Sequence, residues 1–297
     1  MKLGIIPLMQ KGFTTNAAWA RPFLKMVEAA GVESVWTVEH PIVAENYEPL
    51  YSYSTDGRAP FQPDTEMCDP LEWLAFAAGA TEKVKLGTGV LLLPLHAPII
   101  LAKRVATLDA ISGGRVLLGV GMGWQREEYK TIGVPYEERG PRLDDGIAAV
   151  RALWTQSPAT YHGKFYEFDR VHSDPKPAQK NGVHIIVGGS TDVAARRAGR
   201  SGDGYFPHAI SPDDFAKRLE TMRAAAKEAG RDPAKIELSV SPGAFKFGAS
   251  ADLGIVKAYA DIGVTRIVTV AHEAMSTEIP VIERYIKKIQ DEVLARL

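Results

Sequence analysis

The chain has one cysteine, Cys68, among its 297 residues. A lone thiol closes no intrachain disulfide and builds no cysteine-based metal site. This usage suits a reducing, cytoplasmic setting. No apolar run reaches the roughly 18 residues that a membrane span needs. Neither sign of charge is in excess: 35 Lys and Arg stand against 36 Asp and Glu, for a formal net charge of −1. Without a basic block there is no electrostatic footprint for nucleic acid. No His-x-x-x-His pair or carboxylate pair has metal-ligand spacing, and no Gly-x-Ser-x-Gly turn occurs, which removes zinc and serine chemistry. A Rossmann phosphate loop is also missing. Gly119, Gly121 and Gly123 suggest one, but Trp124 stands where its third glycine belongs, and the alternative register meets Arg126. At the N-terminus, Lys2 and the apolar stretch Leu3 to Met9 imitate a signal peptide. Pro7, Gln10 and Lys11 cut that stretch short, so it reads as a first strand.

What is present is an ordinary globular composition, 45% hydrophobic and 24% charged. Strands are predicted at 3–8, 34–38, 84–93, 115–120, 183–187, 203–206, 236–241 and 265–270. Helical stretches separate them. One is capped by Thr15 or Asn16. One starts at Asp69-Pro70. One runs from Pro98 to Gly113 with Leu101, Val105, Leu108 and Ile111 inward. Others lie at 142–154, 191–200, 211–229 and 251–261, and the last closes the chain at 278–295. Strict alternation argues for parallel strands, and eight units argue for closure into a (β/α)₈ TIM barrel. Such a barrel typically needs about 250 residues, so 1–297 reads as a single domain with insertions after strands two and four. The first insertion, Glu39 to Cys68, carries Tyr47, Tyr51, Tyr53 and Phe61, and reads as a folded lid. The second, Tyr161 to Val171, reads as a two-strand excursion.

The stretch that organises the chain is Ser-Gly-Gly-Arg-Val-Leu-Leu-Gly-Val-Gly-Met-Gly-Trp at 112–124. Glycines at every second position leave one face of a strand bare. Either a flat ligand approaches that backbone or another strand packs tightly on it. Gly87-Thr88-Gly89-Val90 on strand three fits a bulge or a plain twisted strand. Strand two ends Val38-Glu39-His40. His40, at a carboxyl end, is placed for acid–base work, or else bonds a loop carbonyl. Glu39 either orients His40 or serves structure. Strand five ends Gly188-Gly189-Ser190-Thr191, which offers an anion site at a helix start or an ordinary cap.

The 112–124 stretch resembles strand four of the bacterial luciferase-like family. Val-Glu-His at 38–40, Leu-Gly-Thr-Gly-Val at 86–90, Ala-Lys-Arg-Val-Ala-Thr-Leu-Asp at 102–109 and Val-Gly-Gly-Ser at 187–190 support the resemblance, which is closest to the deazaflavin branch. It covers nearly the whole chain and weakens after about residue 230. It implies a flavin or deazaflavin ring faced by His40. It also implies a non-proline cis peptide at Gly89-Val90 behind that ring, and a cofactor phosphate at Gly188, Gly189 and Ser190, across the barrel mouth from the ring. Glu39, Thr88, Gly121, Met122 and Gly123 complete the expected cofactor contacts, and Trp124, Tyr51 and His208 the substrate pocket. Arg196, Arg197 and Arg200 either draw a poly-glutamate tail or form a solvated face.

The sequence departs from the family at two places. Some deazaflavin sugar-phosphate dehydrogenases carry an acidic Glu where this chain has Trp124. Pro41 follows His40 where many relatives have an aromatic residue. The expected activity is hydride transfer between coenzyme F420 and a small organic substrate, in a homodimer. The alternatives are an FMN-dependent monooxygenase using reduced flavin and oxygen, and a non-catalytic barrel that only binds flavin.

Overall fold

A computed structural model of the protein describes all of residues 1–297. Eleven strands form in chain order: β1 (Lys2–Ile6), β2 (Ser34–Thr37), β3 (Lys85–Thr88), β4 (Leu91–Leu92), β5 (Val116–Gly121), β6 (Ala159–His162), β7 (Glu167–Val171), β8 (His184–Gly188), β9 (Gly204–Phe206), β10 (Glu237–Val240) and β11 (Arg266–Val270). The helices are α1 (Ala17–Ala29), α2 (Pro70–Ala80), α3 (Pro98–Ile111), α4 (Arg126–Ile132), α5 (Arg139–Thr155), α6 (Asp192–Ser201), α7 (Pro212–Glu228), α8 (Pro242–Phe245), α9 (Leu253–Asp261) and α10 (Ile279–Lys288). No helix is long and apolar enough to cross a membrane.

The parallel sheet runs β3-β2-β1-β11-β10-β9-β8-β5, and β5 also pairs with β3, which closes it. β4 prolongs β3 along β5, so the closed wall is a (β/α)₈ barrel. The second insertion is the antiparallel pair β6–β7, as the sequence predicts. The predicted strand 84–93 is broken in two. Between β3 and β4 the Gly89-Val90 peptide is cis, at the bond the family resemblance implies.

Two apolar layers hold the barrel. The larger one lies between barrel and helices. The smaller one fills the barrel with Ile6, Trp36, Leu117, Ile186, Phe206 and Val268. Trp36 fits inside because its neighbours are glycines: a Cβ on Gly4 or Gly87 would lie 2.6 or 2.4 Å from the indole. At the amino-terminal end of the strands, the fully buried Arg266 donates to Glu33 at 2.8 and 2.9 Å, to Glu237 at 2.8 Å and to Ser239 at 3.1 Å. Burial alone would raise the Glu237 pKa, but the Arg266 guanidinium and the Lys2 ammonium outweigh it and hold the carboxyl at about 2.

Three expectations fail on packing grounds. Ile111 is 72% exposed, not inward, because the inner face at the end of α3 is taken by Leu108, Asp109 and Ser112. Asp109 earns that place by accepting from Val116 N and from the Gln179 side chain. Arg197 is neither a solvated face nor free for a tail. It is buried and donates to both oxygens of Asp144. α4 lies in a stretch where no helix is predicted. Its signals were the first-turn pair Glu127-Glu128 and the left-handed Gly133 after its end.

Candidate active site

The carboxyl ends of the strands bring His40, Trp124, Tyr51, His208 and Ser190 into one connected chain. Ring centroids are 5.8 Å apart for His40–Trp124 and 5.4 Å for Trp124–Tyr51. The Tyr51 hydroxyl is 3.1 Å from His208 Nε2, and the Ser190 hydroxyl donates to the His208 carbonyl. The residues come from the ends of β2, β5, β9 and β8 and from the insertion after β2.

That insertion contains no helix or strand. Its aromatic residues place it over the barrel mouth. Phe61 lies 5.5 Å from the His40 ring, Tyr47 4.9 Å from Trp124, and Tyr53 4.8 Å from His208. Backbone bonds latch it to the start of α4: Ala44 N donates to Gln125 Oε1 and Glu48 N to Glu127 Oε1, both at 3.0 Å.

His40 has a partner that the sequence reading missed. Its Nδ1 is 3.2 and 3.3 Å from the two carboxylate oxygens of Glu128, which is fully buried. A carboxylate only accepts, so Nδ1 is the donor and Nε2 is the nitrogen left for chemistry. Glu128 sits in the first turn of α4, where helix polarity favours an acid.

Burial sets the protonation of the other groups. It drives the His208 pKa down to about 4. It drives Tyr51 up to about 12, with Tyr53 adding to the rise, and it raises Tyr53 as well. At neutral pH the enclosure around Tyr51 and His208 is uncharged.

Several expected cofactor contacts are taken up within the protein. Glu39 accepts from Leu92 N and lies 2.8 Å from His96 Nε2, so it ties β4 to the end of β2 and does not orient His40. Thr88 is buried and donates to the Gly119 carbonyl at 2.7 Å. Met122 packs on the large core, and its carbonyl accepts from Tyr129. The face left bare by the strand-four glycines is filled by the neighbouring strand. A Cβ on Gly119 would meet the Thr88 carbonyl at 1.8 Å, on Gly121 Val90 at 2.5 Å, and on Gly123 Leu92 at 3.2 Å. A Cβ on Gly188 would lie 2.6 Å from Val90, so the turn after β8 adjoins the cis peptide and does not lie across the mouth from it.

That turn still fits a phosphate. Gly189 has φ of 108° and packs on Ala194, a close approach that glycine permits. Thr191 caps α6 through Ala194 N. The N–H groups of Thr191 and Val193 meet no acceptor in the protein, while the Ser190 N–H faces the Tyr53 hydroxyl. One acid, Asp192, is already at this helix start, bridged to Arg218.

The mouth of the closed barrel thus gathers a carboxylate-backed histidine, a ring of aromatic side chains and a helix-start turn under one loop. Comparison with known proteins gives the family. The chain belongs to the luciferase-like monooxygenase family, whose model matches residues 7–246. It is 34% identical over 262 residues to the uncharacterized protein Rv0953c of Mycobacterium tuberculosis, covering 86% of this chain and 90% of that one. It is 36% identical over 154 residues to an FMNH(2)-dependent dimethylsulfone monooxygenase of Pseudomonas putida, covering 51% and 42%. It is 29% identical over 224 residues to an F420-dependent glucose-6-phosphate dehydrogenase of Kineococcus radiotolerans, covering 73% and 61%. The fold matches the monooxygenase RslO1 of Streptomyces bottropensis, with a TM-score of 0.73, 24% identity and 100% and 99% coverage. It matches equally the coenzyme F420 dependent tetrahydromethanopterin reductase of Methanopyrus kandleri, with a TM-score of 0.73, 19% identity and 99% coverage of both chains. Family members are oxidoreductases that work with a flavin or a deazaflavin, and this chain is similar to both kinds.

Proposed function

We propose that the protein is an oxidoreductase dependent on coenzyme F420, acting on a small organic substrate, with His40 handling the proton. The observation that carries the reading is the His40–Glu128 pair beside Trp124 at the mouth of the barrel. Relatives of both cofactor types exist, but the F420-dependent one matches 73% of this chain and the FMNH(2)-dependent one 51%.

The chemistry a bound deazaflavin supplies is two-electron hydride transfer. Everything else falls to the chain. The turn at Gly188-Gly189-Ser190 and the start of α6 would hold the phosphate through the free N–H groups of Thr191 and Val193. The cis bulge at Gly89-Val90, gripped between Gly121 and Gly188, would back the ring. Glu128 fixes the His40 tautomer and stabilises the imidazolium, so Nε2 can hold or release a proton. The lid excludes water.

The test is titration of the purified protein with both cofactors, followed by turnover of the wild type and His40→Ala. The expected result is deazaflavin binding, with His40→Ala lowering turnover by about 10²–10⁴-fold at nearly unchanged cofactor affinity. Tight FMN binding without deazaflavin binding would hand the protein to the monooxygenase reading, which the 36% match to the dimethylsulfone enzyme favours. Binding of either cofactor with no turnover of any substrate would leave a flavin-binding barrel.

A further inference from the structure

The pocket's expected substrate contacts can be sharpened by one unsatisfied group. Trp124 Nε1 is buried and has no acceptor in the protein. A buried donor without a partner costs free energy, and at a mouth built for a ligand it marks where a ligand acceptor belongs. The rest of the indole is held firmly. The Tyr136 hydroxyl donates to the Trp124 carbonyl at 3.0 Å, and His40, Tyr47 and Tyr51 meet the ring at interplanar angles of 71–76°. The indole is therefore held in place beside the His40 ring.

Charge around it is paired. Arg126 bridges Glu48 and Glu137, Glu127 accepts from the lid backbone, and Glu128 faces His40. Arg58 stacks on Tyr47, exposed on the lid. No arginine or lysine stacks on the indole itself. The walls are aromatic, and aromatic rings favour flat partners with edges and faces of their own.

Building on the oxidoreductase reading, we infer that Trp124 is a substrate-contacting, specificity-determining residue. Its indole N–H donates to the carbonyl oxygen of an uncharged, flat, conjugated substrate that lies against His40 beneath the lid tyrosines.

Binding tests this without turnover. Benzylideneacetone, its hydrocarbon isostere with the carbonyl replaced by C=CH₂, and glucose 6-phosphate are each titrated calorimetrically. The protein is used alone and saturated with whichever cofactor it takes. The wild type is expected to bind the ketone more tightly than the isostere and not to bind the sugar phosphate. Trp124→Phe keeps a ring and removes the donor. It should weaken the ketone about fivefold, the worth of one neutral hydrogen bond, and leave the isostere unchanged. Trp124→Ala should weaken both. Equal effects of Trp124→Phe on both probes, no ketone binding in either state, or sugar-phosphate binding would overturn the inference. If the cofactor binds and the ketone does not, the substrate class falls and the oxidoreductase reading stands. If the ketone binds as stated and no cofactor binds, the Trp124 contact stands and the oxidoreductase reading falls.

Discussion

Replacing His208 by Gln should flatten the acid side of the stability profile. His208 closes the connection between lid and barrel, through Tyr51 at 3.1 Å and Tyr53 at 4.8 Å between ring centroids. Burial lowers its pKa from the ordinary 6.5 to about 4. The unfolded chain therefore takes up the proton first, and stability is lost as pH falls from 6.5 towards 4. The slope there approaches about 1.4 kcal/mol per pH unit, so this one group makes the protein about 2 kcal/mol less stable at pH ~5 than at pH ~7. His184, whose pKa burial also lowers, adds to the slope in the wild type and the variant alike, so their difference isolates His208. Urea unfolding of both proteins at the two pH values measures it. Equal losses in the wild type and His208→Gln would mean that the imidazole is solvated and that the lid does not seat on it.

Other perturbations follow from the same geometry. Gly121→Ala sets a Cβ 2.5 Å from Val90 and should cost about 1–3 kcal/mol in a thermal melt. Adding Val90→Ala should recover part of the loss, and no recovery would mean the two side chains do not compete. Arg266→Met leaves Glu33 and Glu237 without their buried cation and should cost about 3–5 kcal/mol by denaturant titration. Because Glu237 is held at about 2 against an ordinary 4.5, the wild type should lose this contribution as pH falls from 4.5 towards 2, and the variant should show much less of that loss. Ser190→Asp puts a second carboxylate beside the α6 start and removes the donor to the His208 carbonyl. Deazaflavin binding should weaken by at least about tenfold while circular dichroism stays unchanged. Normal binding would move the phosphate elsewhere.

The barrel was legible because each unit announced itself locally, by an apolar run, a cap and a glycine. So was the lid, because Tyr47, Tyr51, Tyr53 and Phe61 crowd into one loop. What sequence could not reveal was which partner each group takes across the fold. Gly121 announced bare backbone, but only the three-dimensional arrangement says that Val90, in the bulge between β3 and β4, fills that gap and the one at Gly188. Glu128 lies 88 residues from His40, and no local pattern joins them. Ile111 fitted the helical period, yet the end of α3 turns Asp109 inward because Gln179 and Val116 N wait there. His40 and the cis bond at Gly89-Val90 rested on the family resemblance as much as on position.

Glu39 and His40 are neighbours in sequence with opposite assignments. One carboxylate is locked to Leu92 N and His96, and the next residue's imidazole opens on the barrel mouth. Alternation at the end of β2 sorts them, and a slip of one residue would exchange them. The peg against that slip is Trp36, four residues before His40, seated in a socket of glycines that no other β2 side chain matches in size. An indole inside the barrel thus decides which of two adjacent ionisable groups faces the mouth. Gly87→Ala, which narrows the socket, should therefore disturb the proton-handling residue without touching the mouth at all.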